Sequence, residues 1–478
     1  MSTTFSNIPP EMFAQISVYL EPPDLNTVLL LSRQSHAVVV PILWREIDLG
    51  RISKGLNLPN HKRSTRSQNA SSALTNLIHT KRLVWDLKEV DANPSDIRRA
   101  IKLFNHEVAT LRKILPSARN LRAMQLGIHS WTMLGVTDKP TLALARKADQ
   151  TMLSMIRLLR QTGSFNIALS FGNLISRPAQ HYMNTIVFEF PERIISLAMP
   201  SNAVDVKNYI AECQNLENLE FRNSSSKDLS SLLIQNKSLK SITCDNCWVQ
   251  PVSWLKRLSV NSSEGLSSTQ WGQIFELSEL EYLDVSIDGR NRLYAAPSVV
   301  HSPSAMRKLK HFFFTYQSNE HDPPHGLFKT IALAGSTIQS LKIYSRISDE
   351  DFQVFVDECP CLSTVYFRPQ HAEKFTTHGM LSLSRAKRLR VLQLDYSCPP
   401  LTFDVVKNIV LGCPSLMEVS VHMFSLNFKA IRTEGWDQHI RPSVDSPLFH
   451  HIQVQTLRRE LLNGGYVEKF VSDTKVGV

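Results

Sequence analysis

The chain lacks any apolar run long enough to cross a bilayer. Its most apolar early stretch, Ala37 to Trp44, is short and contains Pro41, whereas a spanning helix needs about 20 residues. The opening Met1-Ser2-Thr3-Thr4-Phe5-Ser6-Asn7 has neither the basic nor the apolar segment of a secretory leader. Cysteine is scarce: seven residues, an odd number spread thinly over 478 positions, argue against a disulfide scaffold. These features predict an intracellular protein, cytoplasmic or nuclear, with no membrane partner. Motifs for phosphate or dinucleotide binding, nucleophilic catalysis or zinc proteolysis are also missing. Cys244-x-x-Cys247 has no second pair at ligand spacing, and the doublet His450-His451 lacks a matching motif. Neither metal nor cofactor is expected, and a binding role is favoured over catalysis.

Acidic residues are absent between positions 51 and 85, where Arg51, Lys54, Lys62, Arg63, Arg66, Lys81 and Arg82 stand. Much of the formal charge of +10 arises here. A local basic segment can meet nucleic acid or an acidic protein surface. No aromatics are interleaved with these charges, so a solvated linker is the favoured reading and nucleic acid is not the expected partner.

Three short helices are legible in the first 45 residues. Met12, Ile16, Tyr19 and Leu20 share one helical face behind Pro10-Glu11, a favourable helix start. Asp24 can cap a second helix through Leu25, Val28, Leu29 and Leu31. A third runs from Gln34 to Trp44, with Pro41 expected to kink or divide it. Ile8-Pro9-Pro10-Glu11-Met12, followed by Ile16, Leu20, Asp24-Leu25, Ser32-Arg33 and Leu43-Trp44-Arg45, resembles the F-box motif. Ile8 replaces the commoner leucine, and Leu31-Ser32 stands where many members have Val-Cys. The resemblance implies contact with a Skp-family adaptor that links to a cullin complex. Ile8, Pro9, Met12, Ile16, Leu20, Leu25 and Trp44 would then supply apolar contacts or order the three-helix platform. The plainer alternative is an N-terminal cap on the domain that follows.

That domain repeats one pattern: apolar, two residues, apolar, one residue, apolar. Examples are Leu121/Met124/Leu126, Leu216/Leu219/Phe221, Leu280/Leu283/Val285, Leu362/Val365/Phe367 and Leu416/Val419/Val421, with a weaker start at Trp44/Ile47/Leu49. From Ile194 onward the first positions recur every 16 to 29 residues, mostly within the leucine-rich-repeat range. Between them, helical spacing appears at Met152, Met155, Ile156 and Leu159, at Phe352, Phe355, Val356 and Cys359, and at Val405, Val406, Ile409, Val410 and Cys413. The expected fold is α/β: a small N-terminal three-helix F-box followed by a curved leucine-rich-repeat-like solenoid. Its boundaries are 1–48 for the F-box, 49–75 for a flexible basic linker or loop, 76–433 for the repeats and 434–478 for a C-terminal cap and tail. The cap is expected to include a helix from Ser446 to Leu462. Asparagines of the kind that ladder such repeats are mostly missing, and the cysteines read as core residues.

In each strand the residues flanking the core pair point to the opposite face. Phe313, Lys342, Tyr344, Tyr366 and Arg368 therefore gather from three successive repeats as a candidate target-binding patch. Ordinary cross-strand aromatic packing remains an equal alternative. The functional expectation is the substrate-recognition subunit of a Skp-cullin-F-box ubiquitin ligase, itself non-catalytic. The alternatives are a ligase-independent repeat scaffold and nucleic-acid association through residues 51–85.

Overall fold

The computed structural model describes residues 10–17, 20, 24–25, 27, 33–49, 77–86, 94–128, 139–162, 165–171, 177–199, 206–222, 229–263, 265–288, 306–317, 323, 326–369, 375–395, 403–422, 440–443 and 446–452. It divides into two units, one of residues 1–225 and 231–239, the other of 226–230 and 240–478.

The first unit opens with α1 (Pro10–Ser17) and α2 (Arg33–Leu43). Phe13, Leu25 and Val39 are buried together, with Leu20, Val38, Ile42 and Leu43 packed against them. Pro41 lies in the last turn of α2 and does not divide it, because a proline there forfeits few helical bonds before the chain leaves at Trp44. Six strands follow in chain order: β1 (Glu46–Asp48), β2 (Arg82–Asp86), β3 (Ala123–Ile128), β4 (Asn166–Phe171), β5 (Ile194–Met199) and β6 (Asn218–Arg222). Each pairs in parallel with the next. From β2 onward the crossovers carry the helices usual in a parallel connection: α3 (Pro94–Ile114), α4 (Lys139–Gln161), α5 (Arg177–Glu189) and α6 (Val206–Glu212). Helix α4 buries the four apolar residues expected of it, Met152, Met155, Ile156 and Leu159.

Strand β2 is a repeat that the apolar pattern does not reveal. Its core pair, Leu83 and Trp85, is buried, but the position three residues earlier is Thr80, also fully buried. Trp85 stacks on Phe104 of α3 at 5.8 Å and donates its indole N–H to Glu107 at 3.0 Å. The polar end of this large ring is thereby satisfied inside the fold.

The second unit contains β7 (Ser241–Asp245), β8 (Arg257–Ser262), β9 (Tyr282–Ile287), β10 (His311–Tyr316), β11 (Ser340–Ser345), β12 (Thr364–Pro369), β13 (Val391–Asp395) and β14 (Glu418–His422). All neighbours are parallel. Helices α7 (Ser268–Phe275), α8 (Leu327–Ala334), α9 (Asp349–Glu358), α10 (Thr377–Ser382) and α11 (Phe403–Gly412) lie between strands. The apolar positions expected on α9 and α11 are buried, including Cys359 and Cys413 just beyond their ends. Ser348 caps α9 by accepting from the Asp351 N–H at 3.1 Å. Asp349 beside it accepts from the Thr376 N–H at 2.8 Å and the Thr376 hydroxyl at 2.6 Å, tying one repeat to the next.

The repeat has a common hydrogen-bond scheme. A turn precedes each strand, as where Leu309 N–H donates to Met306 and Leu362 N–H to Cys359, both at about 3 Å. One carbonyl beyond that turn then accepts two N–H groups from the following repeat. Lys256 accepts from Glu281 and Tyr282, Glu281 from Lys310 and His311, Lys310 from Gln339 and Ser340, and Gln339 from Ser363 and Thr364. The same fork recurs in the first unit, where Arg45 accepts from Lys81 and Arg82 and Lys81 from Arg122 and Ala123. With ladder asparagines mostly missing, the carbonyls of preceding repeats are met by one asparagine and by thiols. Asn236 donates its side-chain amide to the Cys213 carbonyl at 3.0 Å, Cys413 donates its thiol to Leu383 at 3.0 Å, and Cys359 donates to Gly335 at 3.6 Å. Burial pushes the Cys359 thiol up to about 12 and, with Glu212 and Glu192 nearby, the Cys213 thiol up to about 12. Both thiols are held protonated rather than as reactive thiolates.

The C-terminal expectation is corrected. Residues 446–452 form a strand, β16 (Ser446–Ile452), antiparallel to β14, and β15 (Ile440–Ser443) pairs antiparallel with it. The open edge of β14 offers unpaired backbone groups that a helix would leave unmet, and this non-local demand overrides helical spacing. Residues 453–462 of the expected helix, and nearly all of the 49–75 linker, lie outside the described residues.

Phe367 packs between Phe352 at 4.8 Å and Phe375 at 4.5 Å and is fully buried. Phe367→Ala should lower unfolding stability by about 3–5 kcal/mol. Gln393→Ala, on the opposite face, should change it by less than about 0.5 kcal/mol. Chemical denaturation of both variants checks the assignment of faces.

Candidate interaction surface on the second unit

Strands β8 to β12 share one register, so their outward side chains align in three columns. The first holds Arg257, Tyr282, His311, Ser340 and Thr364; the second Ser259, Asp284, Phe313, Lys342 and Tyr366; the third Asn261, Ser286, Thr315, Tyr344 and Arg368. On β9, β10 and β11 burial alternates strictly, with these side chains partly exposed and their neighbours in the core. All five residues expected to form the target patch lie on this face.

Lys342 is their centre. Its Nζ stands 5.8 Å from the Phe313 ring centroid, 5.0 Å from Tyr344 and 5.3 Å from Tyr366. Tyr344 and Tyr366 meet edge to face at 5.2 Å, and the Arg368 guanidinium lies 5.8 Å from the Tyr344 ring. Each cation–ring contact contributes about 0.5–1 kcal/mol at a partly exposed site. The cluster therefore holds long side chains in place, lowering the ordering cost of a later contact.

The structure extends the patch beyond the sequence reading. Tyr282 packs edge to face on Phe313 at 5.2 Å, and the Arg257 guanidinium lies over the Tyr282 ring at 4.1 Å. Tyr282 donates its hydroxyl to Asp284 at 3.4 Å. Arg257, Tyr282 and His311 were missed because they occupy the first outward column, one alternation before the two flanking positions read from sequence. Continuing the period-two pattern one step upstream finds them. Burial raises the Asp284 carboxyl above its ordinary range, against the opposing pull of Lys342, Tyr282 and Arg257. Burial also raises the Tyr282 phenol, with Asp284 adding to the shift.

The residues expected at the adaptor contact separate into two groups. Leu25 is buried and Leu20 packs against the small N-terminal core, while Trp44 is half-buried after α2. Met12 and Ile16 lie on the solvent side of α1, 56 % and 47 % exposed. Ile8 and Pro9 lie outside the described residues. No described helix is long and apolar enough to cross a membrane. Among the described residues no cluster of three or more His, Cys, Asp or Glu side chains could hold a metal ion.

Parallel strands, helical crossovers and the recurrent apolar triplet decide the repeat type. The repeats are leucine-rich-repeat-like. No family model matches the sequence, and no curated protein matches it. Among solved structures, the chain is similar to the leucine-rich repeat-containing protein LegL7 from Legionella pneumophila, at 11 % identity and a TM-score of 0.31, over 87 % of this chain and 97 % of that one.

His311 supplies a pH test of this surface. Burial, with Arg257 and Lys310 nearby, holds its imidazole below the ordinary 6.5, against the weaker pull of Glu281. A depressed folded-state value means the unfolded chain binds the proton first as pH falls. Its contribution to stability is therefore present above pH 6.5 and lost as pH drops through the folded value. An NMR titration should place the His311 midpoint below 6.5; a midpoint at or above 6.5 would contradict the packing around it.

Proposed function

We propose that this chain is a non-catalytic receptor subunit of a Skp-cullin-F-box ubiquitin ligase. The N-terminal helices bind the Skp-family adaptor and the second unit's strand face binds a target protein. The observation that carries the adaptor half is the division of labour on α1. Phe13 turns inward onto Leu25 and Val39, whereas Met12 and Ile16, four residues apart, expose apolar side chains on the same helix. Residues at that spacing form one stripe, and exposed apolar surface on so small a helical unit favours a partner. The F-box-like order of residues around it supplies the adaptor's identity.

The receptor half is supported by the preordered aromatic and cationic surface of β9 to β12. Aromatic and arginine side chains in such a setting are the types that dominate interface energies. The mechanism is positional: holding adaptor and target on one chain raises the target's effective concentration near a conjugating enzyme supplied by other subunits. The alternative, a ligase-independent repeat scaffold, shares the target surface but leaves Met12 and Ile16 without a role.

Met12→Asp/Ile16→Asp should abolish co-purification with the Skp-family adaptor while leaving the thermal melt nearly unchanged, because both side chains face solvent. Unchanged adaptor recovery would remove the ligase assignment and favour the scaffold.

A further inference from the structure

The outward columns of β8 to β12 are unequal in charge. They carry three cations, Arg257, Lys342 and Arg368, against one carboxylate, Asp284. That carboxylate sits beside Tyr282 and within the fields of Lys342 and Arg257, so it offsets part of the positive charge and leaves the cations in excess across these columns. The rings between the cations are not open platforms. Tyr282 lies beneath Arg257, and Tyr344 and Tyr366 pack against each other and around Lys342. Bases of single-stranded nucleic acid need exposed ring faces to stack on, and here cations occupy them. The basic character is also confined to three side chains, too few for the phosphate tracking that sustains nucleic-acid binding.

We infer that this face binds an extended acidic peptide segment of a target protein, its carboxylates meeting Arg257, Lys342 and Arg368, which the rings of Tyr282, Phe313 and Tyr344 hold in place. The inference rests on reading the strand face as the target surface and is independent of the adaptor contact.

The register also limits spacing. Neighbouring strands lie about 4.8 Å apart, and alternate residues along a strand about 6.6 Å apart. Lys342 and Arg368 are one strand and one column apart, so roughly 8 Å separates their positions. Lys342 and Arg257 are three strands and one column apart, or roughly 16 Å. An extended peptide rises about 3.3 Å per residue. It would match this face with two acids two or three residues apart and a third about five residues further along. Arg257 and Arg368 supply planar guanidinium forks suited to carboxylates, and Lys342 a point charge held between them.

The experiment uses the full chain and a fluorescently labelled random glutamate–tyrosine copolymer, read by anisotropy at low and physiological salt. The expected result is binding that weakens with salt and falls roughly tenfold or more in Arg257→Glu and in Arg368→Glu. It should be retained in Lys147→Glu and in Lys207→Glu, each of which makes the same charge change at an exposed helical position of the first unit. Arg368→Gln, with circular dichroism of every variant, separates lost charge from lost fold: the neutral variant should fold normally and bind at an intermediate level. Absence of copolymer binding, equal loss in either first-unit control, or full displacement by a single-stranded oligothymidylate would overturn the inference. Adaptor capture measured on the same variants should stay unchanged, so failure here and failure of the ligase assignment give different results.

Discussion

The forked hydrogen bond at the entrance to β2, β3 and the strands from β8 to β14 is the constraint on which the rest of the structure depends. One carbonyl, such as Lys310 or Gln339, accepts two consecutive N–H groups from the next repeat, so each of these strands enters the sheet in a fixed phase relative to its neighbour. In a sheet with period-two side chains, a slip of one residue would exchange core and surface throughout a strand. The fork and the buried pairs on either side, such as Leu341 and Ile343 against Val365 and Phe367, act together against that slip. Lys342 meets Tyr366 because the phase is common to both strands, not because either residue specifies the other.

Variation between repeats is absorbed away from this line. Connections differ in length and carry anything from a short turn to the long α4, yet from β8 to β12 the strand register stays aligned, whereas between β4 and β5 it shifts at Ile167/Ala168. The first unit tolerates a polar Thr80 before Leu83, with Trp85 anchored by Phe104 and Glu107. The second replaces ladder asparagines by buried thiols at Cys359 and Cys413. These substitutions keep the backbone carbonyl of the preceding repeat satisfied, which is the physical requirement, while changing the residue that meets it.

The core pairs and helices of most repeats were legible in the sequence because they depend on local periodicity. The outward placement of Lys342 and Tyr344 was legible for the same reason: once Leu341 and Ile343 are inside, these two must be outside. What escaped depends on partners distant in sequence. The β2 repeat escaped because Thr80 breaks the apolar triplet, and the first outward column escaped because it lies before the core pair. Residues 446–452 were misread as helix because the edge of β14, which recruits them as a strand, is invisible to local spacing. The N-terminal residues show a similar split. Their order suggested a shared apolar role, but packing distinguishes inward Leu25 from outward Met12 and Ile16.

The account turns on the common strand phase, and hydrogen exchange on the full chain tests it most directly. The amides of Tyr282, His311, Ser340, Thr364 and Val391, each paired to a carbonyl of the preceding repeat, should exchange together and far more slowly than those of exposed turns. Exchange of these amides at the rate of exposed turns, or protection that shifts by one residue between strands, would contradict the fixed register and with it the surface built upon it.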